Sequence, residues 1–86
     1  MVAQSFDYGT LAPAVATALA EGFPGASIKT EEGWQGRVHV KIVSSAFDGR
    51  SEAVKQGMVW EVLRSVLGPD AQAVSLVLPY GMDELP

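Results

Sequence analysis

A helix-length apolar segment set between two strand-like segments constrains this chain most. Residues 47–67 run FDGRSEAVKQGMVWEVLRSVL. Asp48-Gly49 is a strong turn signal. Ser51 is placed to cap a helix, and Glu52 falls in its first turn, where the helix dipole favours negative charge. On a wheel of about 100° per residue, Met58, Val62, Val66, Val59, Leu63, Leu67 and Trp60 share a broad apolar arc. Glu61, Arg64 and Ser65 hold the narrow polar side. So wide an arc predicts a helix largely buried between a sheet and another helix. Gly68 and Pro69 end it. Two strands joined by such a helix are expected to pair in parallel through a right-handed crossover.

The flanking segments supply those strands. From Arg37 the alternation is clean: Val38, Val40 and Ile42 point one way, and Arg37, His39 and Lys41 the other. That pattern belongs to a strand with one buried and one solvated face. Ala26, Ile28 and Thr30 line one face of a strand before it. Glu31, Glu32 and the two glycines Gly33 and Gly36 make the intervening turn, so residues 26–44 form a hairpin. Residues 72–78, QAVSLVL, form the last strand, with Val74, Leu76 and Leu78 on one face and Pro79-Tyr80-Gly81 ending it. An earlier helix is predicted from Leu11, Val15, Ala18 and Leu19, with Thr10 as N-cap and Pro13 in the first turn. Gly22 and Pro24 end it. The order is α-β-β-α-β, and the expected product is an α+β domain with a three-stranded mixed sheet and helices on one face. Residues 1–9 are a polar lead-in and residues 80–86 an acidic tail, both expected to be flexible.

Eighty-six residues make one domain. The chain has no cysteine, which excludes disulfides, fits a cytoplasmic setting, and removes thiolate ligands for a metal or an iron–sulfur cluster. Its single histidine argues against an all-protein zinc site. No apolar run reaches the roughly 20 residues that span a bilayer. The opening MVAQSFDYGT lacks the basic and apolar regions of a secretory signal. A net charge of −4 argues against strong non-specific binding to nucleic acid, though not against a local basic patch. Ser44 and Ser45 have no general base near them in sequence, and Asp48, Glu52 and Glu61 form no convincing carboxylate pair. Without a nucleophile–base–orienter set, the expectation is a non-enzymatic protein.

The centre of the chain resembles the BolA family. KIVSSAFDGRSEAVKQGMVWEVL resembles that family's strand ending in Val-Ser, followed by Phe, an acidic residue, Gly, a basic residue and Ser, then a helix entered through a basic–His pair. The later QAVSL resembles the family's His-Ala-Leu-Ser-Ile strand. The resemblance covers roughly residues 10–78 and implies a class II KH-like fold, αββααβ, with a short extra helical turn at residues 46–50. It also implies no catalysis. Members are associated with stress response, monothiol glutaredoxins, iron–sulfur cluster handling, DNA binding and transcriptional regulation of morphogenetic genes. Lys55-Gln56 stands where members commonly have Arg-His, and a Lys-Gln pair there resembles the YrbA-type branch. The histidine that ligates a cluster shared with glutaredoxin is matched by Gln72. An amide does not replace an imidazole as an iron ligand, because its nitrogen has no available lone pair and its oxygen is hard. The chain alone is therefore expected to bind no cofactor.

Two binding surfaces follow. The first is for a protein partner such as a monothiol glutaredoxin: Lys55 and Gln56 in the first turn of the main helix, Gln72, and Trp34 as an indole anchor at the hairpin tip. The second is a nucleic-acid stripe of Arg37, Lys41, Arg50 and Lys55. His39, flanked by Arg37 and Lys41, reads as a solvated surface histidine. The strings GFPG at Gly22 and GWQG at Gly33 do not sit between two helices, as a KH clamp requires, and count as turns.

Overall fold

The structure, a computed structural model, describes residues 5–85. Its first helix, α1, spans Tyr8–Gly22. It starts before the expected Thr10 cap. Asp7 is the N-cap, its carbonyl accepting the Leu11 N–H at 2.9 Å. Thr10 sits in the first turn instead and donates its hydroxyl to Asp7 Oδ2 at 2.8 Å. Gly22 closes the helix at a close approach to the second helix, because a Cβ there would meet both γ-methyls of Val62 at 2.9 Å.

Strand β1, Ser27–Glu32, pairs antiparallel with β2, Val38–Val43. Glu31 and Glu32, expected in the turn, continue β1. The tip is the short 3-10 turn Trp34–Gly36, braced by a Gly33 N–H to Arg37 carbonyl bond of 2.7 Å. The second helix, α2, spans Glu52–Leu67, with Ser51 Oγ accepting the Val54 N–H at 3.3 Å as the cap. Before it lies a 3-10 turn, Ser45–Phe47, slightly ahead of the extra turn expected at residues 46–50. Gly49 then takes a φ of 71°, the left-handed conformation its Asp-Gly turn needs. The last strand, β3, spans Val74–Tyr80 and runs parallel to β2, giving the order β1-β2-β3.

The domain is therefore α+β: a three-stranded mixed sheet with both helices on one face, consistent with the αββααβ class II KH-like layout. Val15 and Leu19 from α1, Val59 and Leu63 from α2, and Val38, Val40 and Ile42 from β2 are fully buried together. Phe47 joins them, its ring tilted against Phe23 with centroids 5.0 Å apart. Burying that ring contributes roughly 2–3 kcal/mol, which makes the segment before α2 part of the core.

Three expectations are corrected by packing. First, the face of β3 is wrong after Val74. Val38 pairs with Val74 but His39 pairs with Leu76, so Ser75 is an extra residue, a β-bulge. Beyond it Val77 and Pro79 turn to the core, and Leu76 and Leu78 turn to the helix-free face. Second, α2 is less enclosed than its wheel suggested. Only the line Lys55, Val59, Leu63 is fully buried, and Val66 is 58% exposed. The sheet and α1 cover two sides of α2, the segment after it and the tail meet its two ends, and the rest of its surface, Val66 included, meets water. Third, the acidic tail is docked. Tyr80 belongs to β3, Gly81 is buried, and Met82–Glu84 form a 3-10 turn held against the Asp48-Gly49 turn. The lead-in is partly engaged too, since Phe6 N–H reaches the Gln35 carbonyl at 2.8 Å. Residues 1–4 of the lead-in and Pro86 of the tail lie outside the described residues.

Candidate partner-docking site

The register of the sheet sorts the candidate residues into two ends. β2 begins at the hairpin tip, and its first residue, Val38, pairs with Val74 at the start of β3. Trp34, Arg37 and the turn leading into β3 therefore share one end. β2 finishes opposite Tyr80, so the Asp48-Gly49 turn, the start of α2 and the tail lie at the other.

At that second end the sequence pointed to Lys55 as a partner contact. The structure buries it, with 3% exposure. Its Nζ lies 2.7 Å from Glu84 Oε1 and 3.4 Å from Glu52 Oε1. Glu84 also accepts the Gly81 N–H at 2.8 Å. Two crossed contacts fix the tail: Gly49 N–H to Asp83 Oδ2 at 2.9 Å, and Asp83 N–H to Asp48 Oδ1 at 3.2 Å. The Gly81 N–H, then the Lys55 ammonium, hold the Glu84 carboxyl below its usual range. The Glu84 hydrogen bond, opposed by desolvation and helped by Glu52, holds Lys55 above its own. Lys55 is thus a clasp residue, because the docked tail delivers a carboxylate directly onto it.

Gln56 is also turned inward. Its amide nitrogen donates to the Val77 carbonyl at 2.8 Å and to Glu52 Oε2 at 3.0 Å, and its oxygen accepts the Trp60 indole N–H at 3.1 Å. It ties α2 to β3 and orients Trp60. The indole in turn carries the Arg64 guanidinium 5.9 Å from its ring centroid.

Gln72 fares differently. It lies on the 3-10 turn Gly68–Ala73, ahead of β3 rather than in it, and is exposed. With Trp60, Arg64, Pro69 and Val74 it borders a concavity of about 410 Å³. Trp34, on the same end of the sheet, is 78% exposed. Sequence reasoning missed Trp60 and Arg64 as site residues, having assigned one to the core and the other to the solvated side. The signal was present in the i, i+4 series Gln56, Trp60, Arg64, which places them along one helix face.

The nucleic-acid set is not brought together. Arg37 stacks on the Phe6 ring at 5.0 Å, at the hairpin end. Lys41 lies mid-strand on the helix-free face, 5.3 Å from the Tyr80 ring centroid. Arg50 sits at the opposite end, and Lys55 is neutralised in its clasp. His39 packs its imidazole against Gly33, leaving no room there for a Cβ.

Among the described residues no three His, Cys, Asp or Glu side chains are grouped to hold a metal ion. The donors around Gln72 are an amide, an indole and a guanidinium, which do not fit an iron–sulfur cluster. No helix among the described residues is long and apolar enough to cross a membrane. Comparison with protein-family models and with curated proteins finds no match to the chain.

Proposed function

We propose that this chain is a non-enzymatic BolA-like adaptor that docks a protein partner, a monothiol glutaredoxin or another iron–sulfur assembly component, without supplying a histidine ligand. The observation that supports this reading is the exposed concavity at Gln72, walled by Trp60 and Arg64 on the sheet end that also presents Trp34. Aromatic and arginine side chains in a partly desolvated hollow are the usual anchors of protein interfaces. The docking residues are Gln72, Trp60, Arg64 and Trp34, with Gln56 positioning the indole and Lys55 left to the fold.

Co-expression with a monothiol glutaredoxin, followed by size-exclusion chromatography and calorimetry, tests this. A colourless heterodimer is expected, weakened at least tenfold, about 1.4 kcal/mol, by Arg64→Glu or Gln72→Glu. Absence of any complex, or full affinity in both variants, overturns the adaptor. A coloured heterodimer would show that a cluster forms without the histidine. A nucleic-acid regulator would instead show a gel shift lost steeply with salt and sensitive to Arg37 and Lys41.

A further inference from the structure

The helix-free face of the sheet is a regular grid. Across the strands, Glu31, His39 and Leu76 form one row, Lys29, Lys41 and Leu78 the next, and Ser27, Val43 and Tyr80 the third. Two features of this grid work against stability. Lys29 and Lys41 are direct cross-strand partners, and like charges so placed repel. Among the described residues, neither has a carboxylate within salt-bridge reach; the ion pairs all belong to Lys55. Leu76 and Leu78 are 42% and 40% exposed, put there by the Ser75 bulge when regular alternation would have kept them with Val74. Bulges recur where a strand must re-aim side chains for function. Both features border one concavity of about 500 Å³, together with Glu31 and His39. That volume suits a small molecule.

We propose that this concavity binds a small organic anion with an apolar body. The lysines receive a carboxylate or phosphate head in charge-assisted hydrogen bonds, and the leucines cover the apolar part. An anion between Lys29 and Lys41 removes their repulsion, and an apolar body takes Leu76 and Leu78 out of water. A second copy of the chain does not fit. Facing sheets would bury two lysines from each copy against one glutamate from each, leaving desolvated cations unpaired. The site is separate from the Gln72 concavity and does not depend on the adaptor reading.

The test is an amide chemical-shift titration of the whole chain with octanoate, alongside acetate as the head alone and octan-1-ol as the body alone. Octanoate is expected to give saturable shifts confined to the open faces of the three strands, with both single-feature probes at least tenfold weaker. Lys29→Gln with Lys41→Gln should weaken octanoate roughly tenfold, the order two solvent-exposed ion-pair contacts supply, and leave octan-1-ol unchanged. Leu76→Ser with Leu78→Ser should weaken both octanoate and octan-1-ol. These side chains are exposed, so thermal melts should confirm that the variants fold. Absence of saturable octanoate shifts at this face, octan-1-ol binding as tightly as octanoate, or unchanged affinity in the lysine variant each overturns the proposal. Displacement of octanoate by a single-stranded oligonucleotide would reassign the face to nucleic acid and overturn it as well.

Discussion

Lys55 shows how a single long-range contact decides what a side chain is for. Its charge is matched within 2.7 Å by Glu84, which is held in turn by Gly81 and the crossed Asp48–Asp83 contacts. Glu84 titrates below its ordinary 4.5 in the fold, so its stabilising effect is complete above that pH and lost as pH falls through the lowered value. Lys55 titrates above its ordinary 10.5, so its contribution is complete below that pH and lost as pH rises through the raised value. Glu84→Gln should therefore lower Tm by a constant amount through the neutral range, with the difference from wild type shrinking below pH 4.5. Melting curves across pH check this, and a difference that persists undiminished in strong acid would remove the ion pair as its cause. The partners are 29 residues apart, so no local spacing could reveal them. The Gln56–Trp60 pair, by contrast, follows from helical geometry alone.

Among the elements, α2 and β3 show where periodicity is informative and where it fails. The wheel found the right centre for α2, since Val59 and Leu63 are fully buried. It overstated the width, because helix periodicity records which residues are apolar and not how many neighbours arrive to cover them. Leu63→Ala should cost about 2–5 kcal/mol, whereas Val66→Ala should stay within about 0.5 kcal/mol. Urea unfolding measures both, and equal losses would mean that α2 is enclosed on every side. In β3, alternate positions are apolar on both faces, with Val74, Leu76 and Leu78 interleaved by Val77 and Pro79. Such a segment satisfies either register, so the Ser75 bulge leaves no trace in the pattern. Ser51, Asp48 and Gly49 were readable because a cap and a tight turn each require a residue type at a fixed place.

For the molecule as a whole, the order of elements and the mixed sheet were legible because turn signals separate every helix and strand. The position of the tail was not, since an acidic stretch after a Pro-Tyr-Gly sequence looks like any solvated end. Its docking makes residues 81–85 part of the closed fold at the α2 entrance. A chain ending at Tyr80 should melt lower. It should also lose hydrogen-exchange protection at Gly49 and in the first turn of α2, with the central strand still protected. Full retention of that protection would show that the tail merely rests on the surface. The sheet edges carry a different consequence, for self-association. β1 sets Lys29, Glu31 and Glu32 along a six-residue outer strand. On the opposite edge Pro79 has no N–H to offer, and the Val77 carbonyl is already engaged by Gln56. Charged and interrupted edges resist strand-to-strand polymerisation, so this domain can leave one whole sheet face uncovered without becoming the seed of a fibre.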